Sequence, residues 1–93
     1  MERIEKPWGH ELVWASNAHH LGKRLFVRAG ERLSLQYHRK KDETIFLEQG
    51  ESIRVPPGTI HRIEAVADSV LFEVSTPHPV DVVRVEDDYG RKK

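Results

Sequence analysis

The chain contains no cysteine, which removes a disulfide framework and any thiolate metal site from consideration. It has no apolar run near the roughly 20 residues a bilayer-spanning helix needs. The opening MERIEKPWGHELVW lacks the apolar stretch of a secretory signal. A cytoplasmic protein without a membrane partner is the resulting expectation. Charge of a single sign is also missing: fifteen Lys and Arg stand against fifteen Asp and Glu. No global field then attracts nucleic acid, and no nucleic-acid partner is expected. No window carries a sustained 3.6-residue apolar period with caps at both ends, so helices are not expected. Internal repeats and low-complexity tracts are absent, and the one biased segment, the closing VEDDYGRKK, reads as a frayed, solvated end.

What the chain does have is alternation. Its 93 residues, 38% apolar and 32% charged, suit a single soluble domain spanning 1–93, which buries only about 60–65% of its unfolded surface. Short runs rich in β-branched or aromatic residues fall at 10–15, 23–29, 31–38, 43–48, 51–56, 59–66, 69–76 and 81–87. Between them PWG, SNAHHLG, AG, RKKD, EQG, PPG, AD and TPHP supply the residues that let a chain reverse. Eight short strands at even spacing predict an all-β sandwich or barrel, and a closed barrel removes the exposed edges that invite aggregation.

The stretch LSLQYHRKKDET, Leu33 to Thr44, concentrates the chemistry. Strand alternation places Ser34, Gln36 and His38 on one face and Leu33, Leu35 and Tyr37 on the other. The RKKD turn returns Glu43 beside His38. In VPPGTIHR, the Pro56–Gly58 turn leads to His61 on the outgoing strand. Two imidazoles, one carboxylate and one amide oxygen suit one divalent ion: Zn, Mn, Fe, Ni or Cu. One carboxylate against a 2+ ion leaves the site net positive, fit for a chelating hydroxy-carbonyl or an anionic oxygen. Arg32 and Ser34 share the face of Gln36 and His38, which makes both candidates for contacting a bound substrate. Arg32 is therefore a candidate for holding a phosphate or carboxylate, or for pairing internally with Glu64 or Glu73. No residue stands out as a catalytic base.

These residues resemble the cupin superfamily. Gly30, five residues, Gln36, one residue, His38, four residues, Glu43, six residues and Gly50 look like the first cupin motif, with Gln in place of the usual first His. Gly50, five residues, Pro56, one residue, Gly58, two residues and His61 look like the second. KPWG, KRL, AGERLSLQYH, ESIRVPPGTIHRIE, FEV and VVRVEDDYGR are together similar to the cupin domain of the type II phosphomannose isomerases. That domain is the C-terminal part of bifunctional isomerase/mannose-1-phosphate guanylyltransferases. The resemblance, from about Glu5 to Arg91, implies a small double-stranded β-helix (jelly-roll) barrel. It also implies a metal held by Gln36, His38, Glu43 and His61, and aldose–ketose isomerisation of a sugar phosphate.

The chain departs from the family pattern in two ways. The hairpin that cupins place between the two motifs is missing, so the barrel is expected to have fewer strands and to be smaller, open on one side, or completed by a homodimer partner. Where the family carries further histidines after His38, this chain has Arg39, Lys40 and Lys41.

Plainer readings stand beside these. Gln36 and His38 alone would be ordinary residues of a solvated strand face; the matching positions of Glu43 and His61 turn the balance toward metal. His19 and His20 point opposite ways on an extended chain and read as loop. Trp8 and Trp14 read as core or turn packing before a sugar-stacking platform. The 39–41 basic run reads equally as a solvated turn and as a phosphate contact. Two function classes survive: a metal-dependent enzyme acting on a small ligand, as an isomerase or as an Fe- or Cu-dependent dioxygenase, and a cupin that binds metal or a small ligand without chemistry.

Overall fold

The computed structural model describes residues 1–48, 50–78 and 80–91. Eight strands follow one another: β1 (Glu2–Lys6), β2 (Gly9–Ser16), β3 (Leu21–Val27), β4 (Leu35–Tyr37), β5 (Glu43–Leu47), β6 (Ser52–Val55), β7 (Ser69–Ser75) and β8 (Val83–Glu86). Six form one sheet in the order β1-β2-β3-β7-β5-β6, with every neighbouring pair antiparallel. β4 and β8 pair antiparallel in a second sheet. The segment 59–65 runs along the other side of the β4 region, through bridges Arg32↔Glu64 and Gln36↔His61 and hydrogen bonds such as Leu33 N–H to Ile63 O at 2.9 Å. The two layers enclose Trp8, Leu25, Val27, Leu33, Ile45, Val55, Ala65 and Leu71, with Tyr89 packed against them.

Six of the expected strands appear with small shifts in their ends. The 59–66 run is a ladder of isolated bridges, and most of the 31–38 run is irregular. Adjacent Leu33 and Ser34 are both buried, at 7% and 2% exposure, in a stretch outside the regular strand β4. β1 was not expected from the sequence. ERIEK offers one apolar residue among charges, the composition of an edge strand rather than of a core one. The two residues Pro7 and Trp8 connect it to β2, where Gly9 is required: a Cβ there would lie 1.8 Å from the carbonyl oxygen of Phe26.

The closing segment is not frayed as far as Arg91, and Lys92 and Lys93 lie outside the described residues. Asp88 accepts two hydrogen bonds from Arg32, at 2.6 and 3.2 Å, and the Tyr89 hydroxyl donates to Glu31 at 2.6 Å. Asp87 takes the backbone N–H and guanidinium of Arg91 at 2.6 to 3.0 Å. The apolar ring of Tyr89 supplies the hydrophobic anchor that a purely charged tail would lack. Trp8 is core, at 2% exposure, whereas Trp14 is half-exposed on the outer face, its ring over Gly22.

The sheet has an open edge at β6. Among the described residues β6 pairs only with β5, and Ile53, opposite the buried Ile45, is 52% exposed. The 59–65 segment is the corresponding edge of the other layer, and the Pro56–Gly58 turn joins the two edges.

Candidate metal centre

β4 carries Gln36 and delivers His38 to its end. β5 begins with Glu43, and the PPG turn returns the chain so that His61 bridges to Gln36: each backbone N–H donates to the other's carbonyl, at 2.9 and 2.8 Å. These placements bring ligand atoms of His38, Glu43 and His61 within 4.8 Å of one another. Glu43 Oε2 lies 3.2 Å from His38 Nε2 and 3.3 Å from His61 Nε2. His38 and Glu43 are buried at 4% and 3% exposure. Gln36 and Ser34 line the same cavity, and the Ser34 hydroxyl donates to Gln36 Oε1 at 3.2 Å.

The second nitrogen of each ring is already committed. His38 Nδ1 bonds the carbonyl of Asp81, and His61 Nδ1 that of Thr59 at 2.9 Å. A carbonyl only accepts, so both Nδ1 atoms carry the hydrogen and both Nε2 atoms of the neutral rings present lone pairs. Both Nε2 atoms are buried without a hydrogen-bond partner. Two lone pairs facing a carboxylate oxygen form an all-acceptor cluster, which either protonation of the rings or a bound cation relieves. Burial alone would push the Glu43 carboxyl up, but His38, His61 and Lys41 outweigh it and hold it well below the usual carboxylate range. Glu43 in turn raises the His61 imidazole against the opposing effect of burial. The donor set fits a divalent transition ion, with neutral imidazole and ionised carboxylate as ligands.

Behind the cluster the cavity, of about 90 Å³, is lined by buried charge that the sequence did not announce. Lys41 bridges Glu73 Oε2 at 2.7 Å and Glu43 Oε1 at 3.4 Å. Lys23 bonds Glu11 at 3.1 Å. Burial would lower the Lys41 ammonium, but Glu73 and Glu43 overcome that and keep it above its ordinary value. Glu73 moves up, first through burial and then through the charge of Glu43, despite Lys41. Two carboxylates sharing one ammonium are thus driven apart, Glu43 down and Glu73 up. Strand alternation on FEV held the clue, because Glu73 falls in the inward register of β7 with Leu71; nothing in composition distinguished it from a solvated glutamate.

Arg32 does not reach the cavity. The irregular backbone at Leu33–Ser34 turns it outward, where it pairs with Asp88 and, at 3.8 Å, with Glu64. Lys41 is neither a solvated turn residue nor exposed. The turn itself is held by Asp81, whose carboxylate accepts the backbone N–H groups of Arg39, Lys40 and Lys41 at 2.7 to 3.1 Å. His19 and His20 stay in an exposed loop around Asn17.

With this geometry the chain has the cupin double-stranded β-helix fold. KdgF from a Halomonas species superposes with a TM-score of 0.72 at 14% identity, over 84% of this chain and 89% of that one. A sugar phosphate isomerase of the cupin superfamily from Silicibacter pomeroyi gives 0.53 at 17% identity, over 85% and 66%. In sequence, the xanthan biosynthesis protein XanB of Xanthomonas campestris is 28% identical over 110 positions, covering 96% of this chain. The chain spans about a quarter of that relative's length, 24%. An alignment of 110 positions is longer than the 93 residues here, so it holds positions that this chain lacks, as a deleted segment requires. No family model matches the sequence. Among the described residues no helix is long and apolar enough to cross a membrane.

Proposed function

We propose that the protein binds one divalent metal ion through His38, Glu43, His61 and Gln36, and that it interconverts an aldose and a ketose form of a sugar phosphate. The observation that carries the reading is the pair of buried, unpartnered Nε2 atoms aimed at Glu43. A bound divalent ion supplies polarisation of a carbonyl and its neighbouring hydroxyl. The chain's own residues supply the rest. Asp81 and Thr59 carbonyls fix the two imidazole rings. Glu73, a buried carboxylate on the cavity wall, is the group that accepts and returns the proton exchanged between neighbouring carbons. Lys41 holds Glu73 in place. Support from relatives is of two kinds: a neighbour in fold described as a sugar phosphate isomerase, and a sequence relative described as a xanthan biosynthesis protein. A second copy covering the β6 edge belongs to the same reading.

The second reading is a cupin that holds metal and a small ligand without turning it over. Its specific support is size: a cavity of about 90 Å³ is well below the roughly 300–1,000 Å³ of ordinary ligand sites, and the wall beside β6 is open.

The test is elemental analysis of untagged protein, wild type beside His61→Ala, followed by an assay of mannose 6-phosphate to fructose 6-phosphate conversion with the recovered metal. Stoichiometric metal lost in His61→Ala, with turnover abolished in Glu73→Gln while metal is retained, supports the isomerase. Metal without turnover of the sugar phosphate selects the second reading. No metal after incubation with each ion overturns both.

A further inference from the structure

Arg32, the anion holder suggested by sequence, lies outside the cavity, but besides Lys23 and Lys41 three more cations line it: Lys6 at the end of β1, Arg84 on β8 and Arg91 in the C-terminal segment. The two ends of the chain bring them together. Arg84 is opposite Gln36 in the β4–β8 register, so the two side chains leave the same face as cross-strand neighbours. Its Nε is buried and has no hydrogen-bond partner. Lys6 is half-buried. Burial lowers its ammonium below the ordinary value, and Lys23, Arg91 and Arg84 push further the same way against Glu11, the mark of like charges gathered in one space.

The charges nearby are otherwise matched. Lys23 pairs with Glu11, Lys41 with Glu73, and Arg91 with Asp87. Among the described residues, neither Lys6 nor Arg84 has a carboxylate within 4.0 Å. A divalent ion on Glu43 adds positive charge to the same cavity. Two uncompensated cations, one with a buried unpartnered donor, call for an anion.

We propose that Lys6 and Arg84, with Arg91 beside them, form an oxyanion subsite next to Gln36 that binds the phosphate or carboxylate group of the ligand. The subsite deepens the sugar-phosphate reading where the anion is phosphate, and it stands on its own geometry if the metal reading fails. Arg84 is the specificity-determining member, because its planar guanidinium can present two N–H groups to one oxyanion while Lys6 adds a point charge.

The experiment is calorimetric titration of inorganic phosphate, and separately of acetate, into metal-stripped and metal-loaded protein. Wild type is compared with Arg84→Gln, Arg84→Lys and Lys6→Gln, with Zn²⁺ affinity and thermal melting measured on each. Phosphate is expected to bind wild type and to weaken about tenfold or more in Arg84→Gln. Partial recovery is expected in Arg84→Lys, with melting and Zn²⁺ affinity near wild type in both. Acetate that binds as well as phosphate, with the same dependence on Arg84, assigns the group to a carboxylate. Phosphate binding that survives metal stripping while Zn²⁺ fails to bind separates this subsite from the metal reading and supports it. Phosphate that does not bind wild type, or that binds all three variants as tightly as wild type, overturns the proposal.

Discussion

The inner face of the six-stranded sheet combines buried charge with the apolar core, while the outer face exposes several large apolar side chains. The inner face carries Glu11, Lys23, Glu43 and Glu73, each at most 8% exposed. The outer face presents Phe46 across from Phe72, their rings 6.5 Å apart, together with Trp14 and Val74, which are about half exposed at 49% and 51%. Burying charge costs free energy even when each ion is paired, and a well-packed apolar replacement is often as stable or better. A chain of 93 residues with a modest core does not need an ionic interior for stability. The difference teaches that the apolar end around Trp8, Leu25 and Val27 supplies the packing, while the charged side chains of the inner face line the cavity.

Four changes break or sharpen that contrast. The largest effect is expected from Lys41→Met, which strands Glu73 and removes one partner of Glu43. Unfolding free energy should fall by about 3–5 kcal/mol, as read by urea denaturation at pH 7. Lys23→Met leaves Glu11 buried alone and should cost about 3 kcal/mol, whereas the double variant Glu11→Leu/Lys23→Met should return to within about 1 kcal/mol of wild type. A double variant as unstable as the single one would show that the ionic pair itself stabilises the fold.

The third change concerns acid stability. The Asp87 carboxyl, held by the Arg91 side chain and backbone against burial, sits at about 2 rather than the ordinary 3.8. Its folded form favours the charged state, so its contribution is fully present above about pH 4 and is lost as pH falls toward 2. Asp87→Asn should flatten the melting temperature against pH in that window and lower it at pH 7. The smallest effect is expected on the outer face: Phe46→Ser should shift unfolding free energy by no more than about 0.5 kcal/mol. A loss several times larger would mean that the outer face is packed in solution.

Much of the architecture was legible in alternation and turn residues. SVLFEVS and ETIFL sit in adjacent strands because both read with period two and both end at turn residues. The gathering of His38, Glu43 and His61 was legible in spacing, since His38 and Glu43 flank one turn and His61 follows another. β1 was not legible, because an edge strand needs backbone partners on one side only and is free to be charged. Arg32 was misplaced for a related reason: period two assumes a regular strand, and the backbone at Leu33–Ser34 departs from one. The cation cluster of Lys6, Arg84 and Arg91 was invisible for want of any local pattern, Lys6 being separated from the two arginines by most of the chain.

By itself, then, the sequence determined the β class, most of the strands in their order along the chain, the lack of thiolate chemistry and the candidacy of His38, Glu43 and His61, whose ligand atoms the fold gathers. Each of these depends on residue type and on neighbours within a few positions. Tertiary structure alone decided which glutamates become buried, which nitrogen of each histidine is free, which arginine faces the cavity and where the barrel is left open. Those outcomes depend on pairings between distant strands, where desolvation and the nearest opposite charge, rather than local spacing, set the behaviour of an ionisable group.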